Sequence, residues 1–368
     1  MRLLRIKFRL LTVILLPIFS YSQSFDEIAD SIRLTRGIPG IVYAVFTSDT
    51  VLAQGVFGYK KYKTKDSMRI NDRFNIGLNT AAFTAYIAGK MVENGKIKWT
   101  TKLLDIFPEF KKKAFPVYKN LTLSGLLSNQ TRVPLYTELD DLSRIPNFEG
   151  PTMSAKRRKF TLYMLGQKPN MSNVVSKKIS FSVAGYVMAA SMLERVGGKK
   201  WEGLVNEFIN IPLKISIKYG WPNQTDTSAP AGHWSQGGYF HAEEPDTWLR
   251  PNPVLYPAHH ININLSDYIR FMQENLKGLL GKKAHLTKQT FEYLHYGILD
   301  YAMGWNNGTL NDISYSFHEG RSLLFNCRAV ILKEKNIGII VMCNSGDKDG
   351  RGAVLNLTRI LETYYLNN

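Results

Sequence analysis

The chain has 368 residues, 44% of them hydrophobic, and a formal charge of +17. Length and composition suit one large globular domain or two, and exclude disordered, fibrous and repeat architectures. The cations lie in scattered clusters (Lys111-Lys112-Lys113, Lys156-Arg157-Arg158-Lys159, Lys177-Lys178) without interleaved aromatics, which argues against a nucleic-acid partner.

Arg2, Arg5, Lys7 and Arg9 precede an apolar run from Leu10 to Phe19 and the small-residue stretch Ser20-Tyr21-Ser22. This is the layout of a secretory signal peptide over residues 1–22, so the mature chain is expected to begin at or near Gln23, secreted or periplasmic. The alternative, a membrane anchor, is disfavoured because the run is about half of the ~20 residues a span needs. No later segment is apolar enough to span. Removal of the leader leaves a charge of about +13, which has two readings. One is attraction to cell-envelope material or another anionic polymer. The other, which is favoured, is a solvated lysine-rich surface.

Phe25 to Arg36 is predicted as a helix, broken by Gly37-Ile38-Pro39-Gly40. Ile41–Phe46 and Val51–Phe57 are β-branched and aromatic runs around a Ser48-Asp49 turn, a β-hairpin pattern. Asn79 to Val92 places Phe83, Ile87 and Met91 on one face and alanines beside it, a buried helix stopped by Asn94-Gly95. Ala184 to Val196 is a second, stopped by Gly197-Gly198, and Ser266 is the expected cap of a third. Residues from about Pro222 to Pro257 form a long ordered excursion. Leu323–Leu332 and Ile337–Cys343 make a second hairpin, followed by a closing helix from Ala353 to Tyr365.

The resulting fold class is α/β (α+β). One antiparallel sheet is built from both termini (residues 23–75 and about 300–368) and flanked by helices, with a mostly helical insertion at about 76–299. Cys327 and Cys343, the only cysteines, are expected near each other across the closing hairpin. With Glu334-Lys335 at the tip they oppose each other and could form a disulfide; a register shift of one residue puts them on opposite faces. Without a Cys-x-x-Cys a structural zinc site is not expected. His233, His241, His259 and His260 fit no zinc spacing and are expected at the surface. No cofactor is called for.

Several stretches, in order, resemble the class C β-lactamase and D-alanyl-D-alanine peptidase family of serine β-lactamases and penicillin-binding proteins. They are Gly37–Gly40 through Gly55-Val56-Phe57-Gly58-Tyr59; Phe74-Asn75-Ile76-Gly77 through Ala85; and Glu93-Asn94-Gly95-Lys96-Ile97. Leu121–Leu127, Gly185-Tyr186 through Gly198, Tyr301-Ala302-Met303-Gly304-Trp305 and Met342-Cys343-Asn344 continue the series. The resemblance covers nearly the whole mature chain. It implies a catalytic serine with a lysine one helical turn later, a Tyr-x-Asn motif, and a third motif on a strand, Lys-Thr-Gly or His-x-Gly.

In register with those landmarks, the nucleophile position is Leu78 and the lysine position Ala81. The Tyr-x-Asn positions are Phe181 and Val183. All four polar groups are replaced by apolar ones. The middle signature's closing turn reads Asn129-Gln130-Thr131-Arg132. Only the third motif is retained, as His318-Glu319-Gly320, and His318 is read equally as a ligand contact or a packed histidine. Thr80 lacks a lysine partner, since Phe83 stands three residues on. The one literal Ser-x-x-Lys, Ser345 to Lys348, lies in a Gly/Asp-rich loop where no helix is expected to align it.

These readings favour a degenerate, catalytically inactive homologue that acts by binding an unknown ligand in the cell envelope. The alternatives are a hydrolase or transferase acting on envelope material through non-standard residues, and an active serine hydrolase whose register differs.

Overall fold

The computed structural model describes residues 24–136, 145–170, 181–236, 239–246, 250–310 and 312–367. The expected signal peptide and the Lys177-Lys178 pair lie outside the described residues. Helix α1 (Phe25–Thr35) leads into β1 (Gly40–Phe46), β2 (Val51–Gly58) and β3 (Arg73–Asn75). The main helices that follow are α2 (Thr80–Glu93), α3 (Leu123–Leu127), α4 (Met153–Leu165) and α5 (Val183–Gly197). Next come β4 (Lys218–Tyr219), β5 (His233–Gln236), β6 (Tyr239–Ala242) and β7 (Ile261–Asn264), then α6 (Leu265–Leu279) and α7 (Lys288–Tyr296). Strands β8 (Asn306–Leu310), β9 (Ile313–Arg321), β10 (Asn326–Leu332) and β11 (Ile337–Cys343) precede the closing helix α8 (Lys348–Asn367).

The main sheet has six antiparallel strands in the order β2-β1-β11-β10-β9-β8, so the first and last hairpins join through β1 and β11. Both of these central strands are buried along their whole length. They read as continuous apolar runs because helices cover the sheet on both faces. On one face Ile41, Tyr43, Val45 and Val341 pack with Leu357 and Leu361 of α8. On the other, Val42, Ala44, Ala329 and Ile340 join the large core shared with α2, α5 and α6. Among the described residues, no helix is long and apolar enough to cross a membrane.

Local chemistry moves three expected boundaries. Helix α6 is capped by Asn264, whose side chain accepts from the Asp267 N–H at 2.8 Å, and not by Ser266. The closing helix starts at Lys348, five residues before Ala353, because Asp347 Oδ1 accepts from the Gly350 N–H at 2.9 Å. Strand β10 begins at Asn326 because Ser322 and Phe325 close a turn ahead of it.

The β10–β11 register pairs Cys327 with Met342 and Asn326 with Cys343. The two cysteines are therefore offset by one position and face opposite sides of the sheet, one in each core. Both are buried and free, and this register prevents the disulfide that direct opposition would have allowed.

Candidate functional site

Strand β3 runs into a 3-10 turn, Gly77–Asn79, that leads directly into α2. Leu78 is the middle residue of that turn, half-buried against the large core. Ala81 lies in the first turn of α2 and is fully buried. The turn touches β9 backbone to backbone. A Cβ at Gly320 would sit 2.0 Å from the Ile76 carbonyl oxygen, and one at Gly77, where φ is +52°, would sit 2.4 Å from the Arg321 oxygen. Only glycines permit this approach, which sets Gly320 of β9 against the turn carrying Leu78.

The start of α5 supplies the next side of the site. Ser182 caps the helix, its Oγ accepting from the Gly185 N–H at 3.0 Å and donating to the Pro134 oxygen at 3.1 Å. Its own N–H donates to Asn129 Oδ1 at 3.0 Å. Asn129 thus ties the loop after α3 to this end of α5. Val183 follows the cap and is buried.

Phe181 stacks on Tyr186 with ring centroids 5.2 Å apart, and meets His318 at 5.9 Å and Tyr301 at 6.3 Å edge to face. Tyr186 donates to the Leu127 oxygen at 2.5 Å, and its hydroxyl lies 3.0 Å from that of Tyr301. Burial pushes both phenols up, so both are protonated at neutral pH.

His318 is 3% exposed. Its Nδ1 lies 3.1 Å from the Glu319 carbonyl oxygen, which can only accept, so Nδ1 carries the proton. Nε2 is then a buried lone pair, and it has no hydrogen-bond partner. Burial lowers the imidazole pKa to about 4, leaving it neutral at pH 7.

The structure thus gathers Phe181 and His318 around the Tyr186–Tyr301 hydroxyl pair, and places the Leu78 turn against β9. The two tyrosines had been visible only as fold landmarks. They stand 115 positions apart, and no spacing signal links them.

Hydroxyls near the turn are already engaged. Thr80 Oγ1 donates to the Gly77 oxygen at 2.7 Å and accepts from the Ile261 N–H at 3.1 Å. The literal Ser345–Lys348 pair is also split. Buried Ser345 donates to Asp347 at 2.8 Å, while Lys348 is exposed at the first position of α8.

Three of the four loop histidines depart from the surface placement expected of them. His233, His259 and His260 are all buried. His233 is fixed by the Asn344 oxygen at 2.7 Å and the Tyr62 N–H at 3.0 Å, and His259 by the Arg321 oxygen at 2.9 Å. His259 and His260 pack ring against ring at 3.9 Å. Among the described residues, no three His, Cys, Asp or Glu side chains gather as a metal site.

The profile described as Beta-lactamase matches residues 24–363 of the chain. The chain belongs to the beta-lactamase family. Protein flp of Staphylococcus aureus (strain N315) is 21% identical over 329 residues, covering 88% of this chain and 63% of the relative. Penicillin-binding protein 4 of Amycolatopsis lactamdurans is 24% identical over 263 residues, covering 68% of this chain and 63% of the relative. The matched region thus spans less than two thirds of these curated relatives.

Among solved structures, the octameric penicillin-binding protein homologue from Pyrococcus abyssi superposes with a TM-score of 0.70 at 18% identity, over 92% of this chain and 77% of that one. A beta-lactamase from Sulfitobacter sp. EE-36 gives 0.71 at 14% identity, over 92% and 98%. At these identities the likeness establishes the beta-lactamase fold, with its antiparallel sheet and flanking helices.

Proposed function

We propose that this member of the beta-lactamase family is a catalytically silent binding protein of the cell envelope, acting outside the cytoplasm. The observation that carries this reading is the side-chain chemistry at the family's positions. Leu78 offers no nucleophilic atom, buried Ala81 no base, and Phe181 no hydroxyl. Removing the nucleophile from a serine hydrolase costs about 10⁶-fold in turnover, and losing its partners adds little because they act as one unit. Backbone donors and binding alone leave roughly 10³–10⁴ over water.

Non-standard catalysis finds little support beside the turn. Thr80 and Ser182 are consumed by local hydrogen bonds, and the Tyr186–Tyr301 pair is buried and protonated. Neutral His318 has a free lone pair but no hydroxyl hydrogen-bonded to it. The aromatic rings around it suit an apolar group on a ligand better than a reacting carbonyl.

The test is turnover of a chromogenic cephalosporin and of p-nitrophenyl esters by the purified mature chain. Rates equal to the buffer control are expected, for the protein and for Leu78→Ser alone, because a lone serine lacks its base. Hydrolysis above the control that persists in a Phe181→Ala variant would place a catalytic centre elsewhere; hydrolysis abolished by that variant would place one at this site. Either result overturns the proposal.

A further inference from the structure

The far end of α5 borders a second hollow, a cavity of about 690 Å³ between that end and the N-terminus of α4. Val183, beside the aromatic cluster of Phe181, Tyr186, Tyr301 and His318, and Arg195, at the cavity, are twelve residues apart on one helix, about 18 Å at the α-helical rise. The cavity is therefore separate from that cluster.

Four cations line it: Arg158, Arg195, Lys199 and Lys200. Lys199 is paired with Glu207 at 2.8 Å, and Arg158 has Glu109 at a looser 3.8 Å. Among the described residues, Arg195 and Lys200 make no ion pair or side-chain hydrogen bond. One carboxylate, Glu194, also lines the cavity; its Oε1 is tied inward, while its Oε2 is buried with no partner among the described residues. Glu194 Oε1 accepts from Arg157 Nη1 at 2.6 Å and from the Trp201 N–H at 2.7 Å. The local field is therefore positive, and the amino end of α4, where Thr152 and Ser154 line the wall, adds to it.

A second observation concerns Ser191. It lies in mid-helix, is 2% exposed and lines the cavity, yet among the described residues its hydroxyl has no partner. A mid-helix serine ordinarily bonds back to the carbonyl four residues earlier. The hydroxyl therefore opens into the cavity, where it is free to meet a ligand. The volume falls in the range of small-molecule sites and exceeds what a bare oxyanion fills.

We propose that this cavity binds a phosphorylated sugar, with the phosphate held by Arg195 and Lys200 and a ligand hydroxyl meeting Ser191. The charges are close to solvent, so the affinity falls as salt is raised.

The test is isothermal titration calorimetry on the mature chain at low ionic strength, with glucose 6-phosphate, inorganic phosphate and glucose as probes. Glucose 6-phosphate binds one per chain, inorganic phosphate at least ten-fold more weakly, and glucose gives no heat. Arg195→Gln/Lys200→Gln weakens glucose 6-phosphate at least ten-fold, and Ser191→Ala about five-fold, with melting temperatures preserved at these exposed or small side chains. Three results would each overturn the proposal. They are absence of binding at millimolar glucose 6-phosphate, binding unchanged in the double variant, and inorganic phosphate binding as tightly as the sugar phosphate. None of them bears on catalytic silence at the Leu78 turn.

Discussion

Lowering the pH from 7 to 5 should strongly destabilise this protein through its histidines. His233, His259, His295 and His318 are all buried. Burial lowers the first, second and fourth to about 4, and His295 to about 3 with help from the Lys333 charge. His295 illustrates why. Its two nitrogens lie 2.9 Å from Ser316 Oγ and 3.1 Å from Asn275 Oδ1, and Trp305 stacks on its ring at 4.2 Å. Asn275 donates to the Phe271 oxygen at 2.7 Å, which turns its Oδ1 toward Nε2 and fixes the neutral tautomer.

Each folded pKa lies below the unfolded value of about 6.5, so the unfolded chain takes up protons first. Stability is complete above 6.5 and declines as the pH falls toward 4. At pH 5 each histidine removes about 2 kcal/mol, about 8 kcal/mol for the four, most of a typical 5–15 kcal/mol. Asp72, Glu194 and Glu362, raised by burial, act in the opposite sense and recover part of this as the carboxylate range is approached. The assay is the urea midpoint by tryptophan fluorescence at pH 7, 6 and 5. A His318→Asn variant should show a slope shallower by one proton. A midpoint that holds constant down to pH 5 would refute the reasoning.

Three further outcomes follow from the packing. Gly320→Ala forces a methyl to within 2.0 Å of the Ile76 carbonyl oxygen, and should cost about 3 kcal/mol in chemical denaturation. Arg157 is fully buried between Glu194 at 2.6 Å and Glu202 at 2.5 Å, so Arg157→Met strands two carboxylates. It should lose about 3–5 kcal/mol, much of it regained when Glu194→Gln and Glu202→Gln are added. Thiol titration without reductant should find two free thiols per denatured chain and almost none in the native one, since both cysteines are buried and face opposite sides of the sheet. Recovery of no thiol would contradict the register.

The parts of the fold that could be read in advance are those where one physical signal dominates. β1 and β11 are continuous apolar runs because both faces of the sheet are covered, and α2 and α5 end at glycine or asparagine stops. Strand β8, Asn306-Asn307-Gly308-Thr309-Leu310, carries no such signal. It is a polar, partly exposed edge strand held by its backbone pairing to β9. The choice of Asn264 over Ser266 as a cap, and the one-residue offset of the cysteines, depend on geometry finer than periodicity resolves.

At the site, the order of landmarks pointed to Leu78, Ala81, Phe181, Val183, His318 and Gly320, and the structure packs Phe181 against His318. The Tyr186–Tyr301 pair, the burial of His259 and His260, and the basic cavity around Arg195 arise from contacts between distant segments. Clusters such as Lys199-Lys200 look the same in sequence whether they face solvent alone or line a hollow.

The claim of catalytic silence is tested most directly by intact-protein mass spectrometry of the purified protein after prolonged exposure to excess benzylpenicillin. The account predicts an unchanged mass, because Leu78 and Ala81 leave nothing to form or support an acyl bond. A stoichiometric adduct mapped to the turn around Leu78, to Phe181–Tyr186 or to β9 would contradict it.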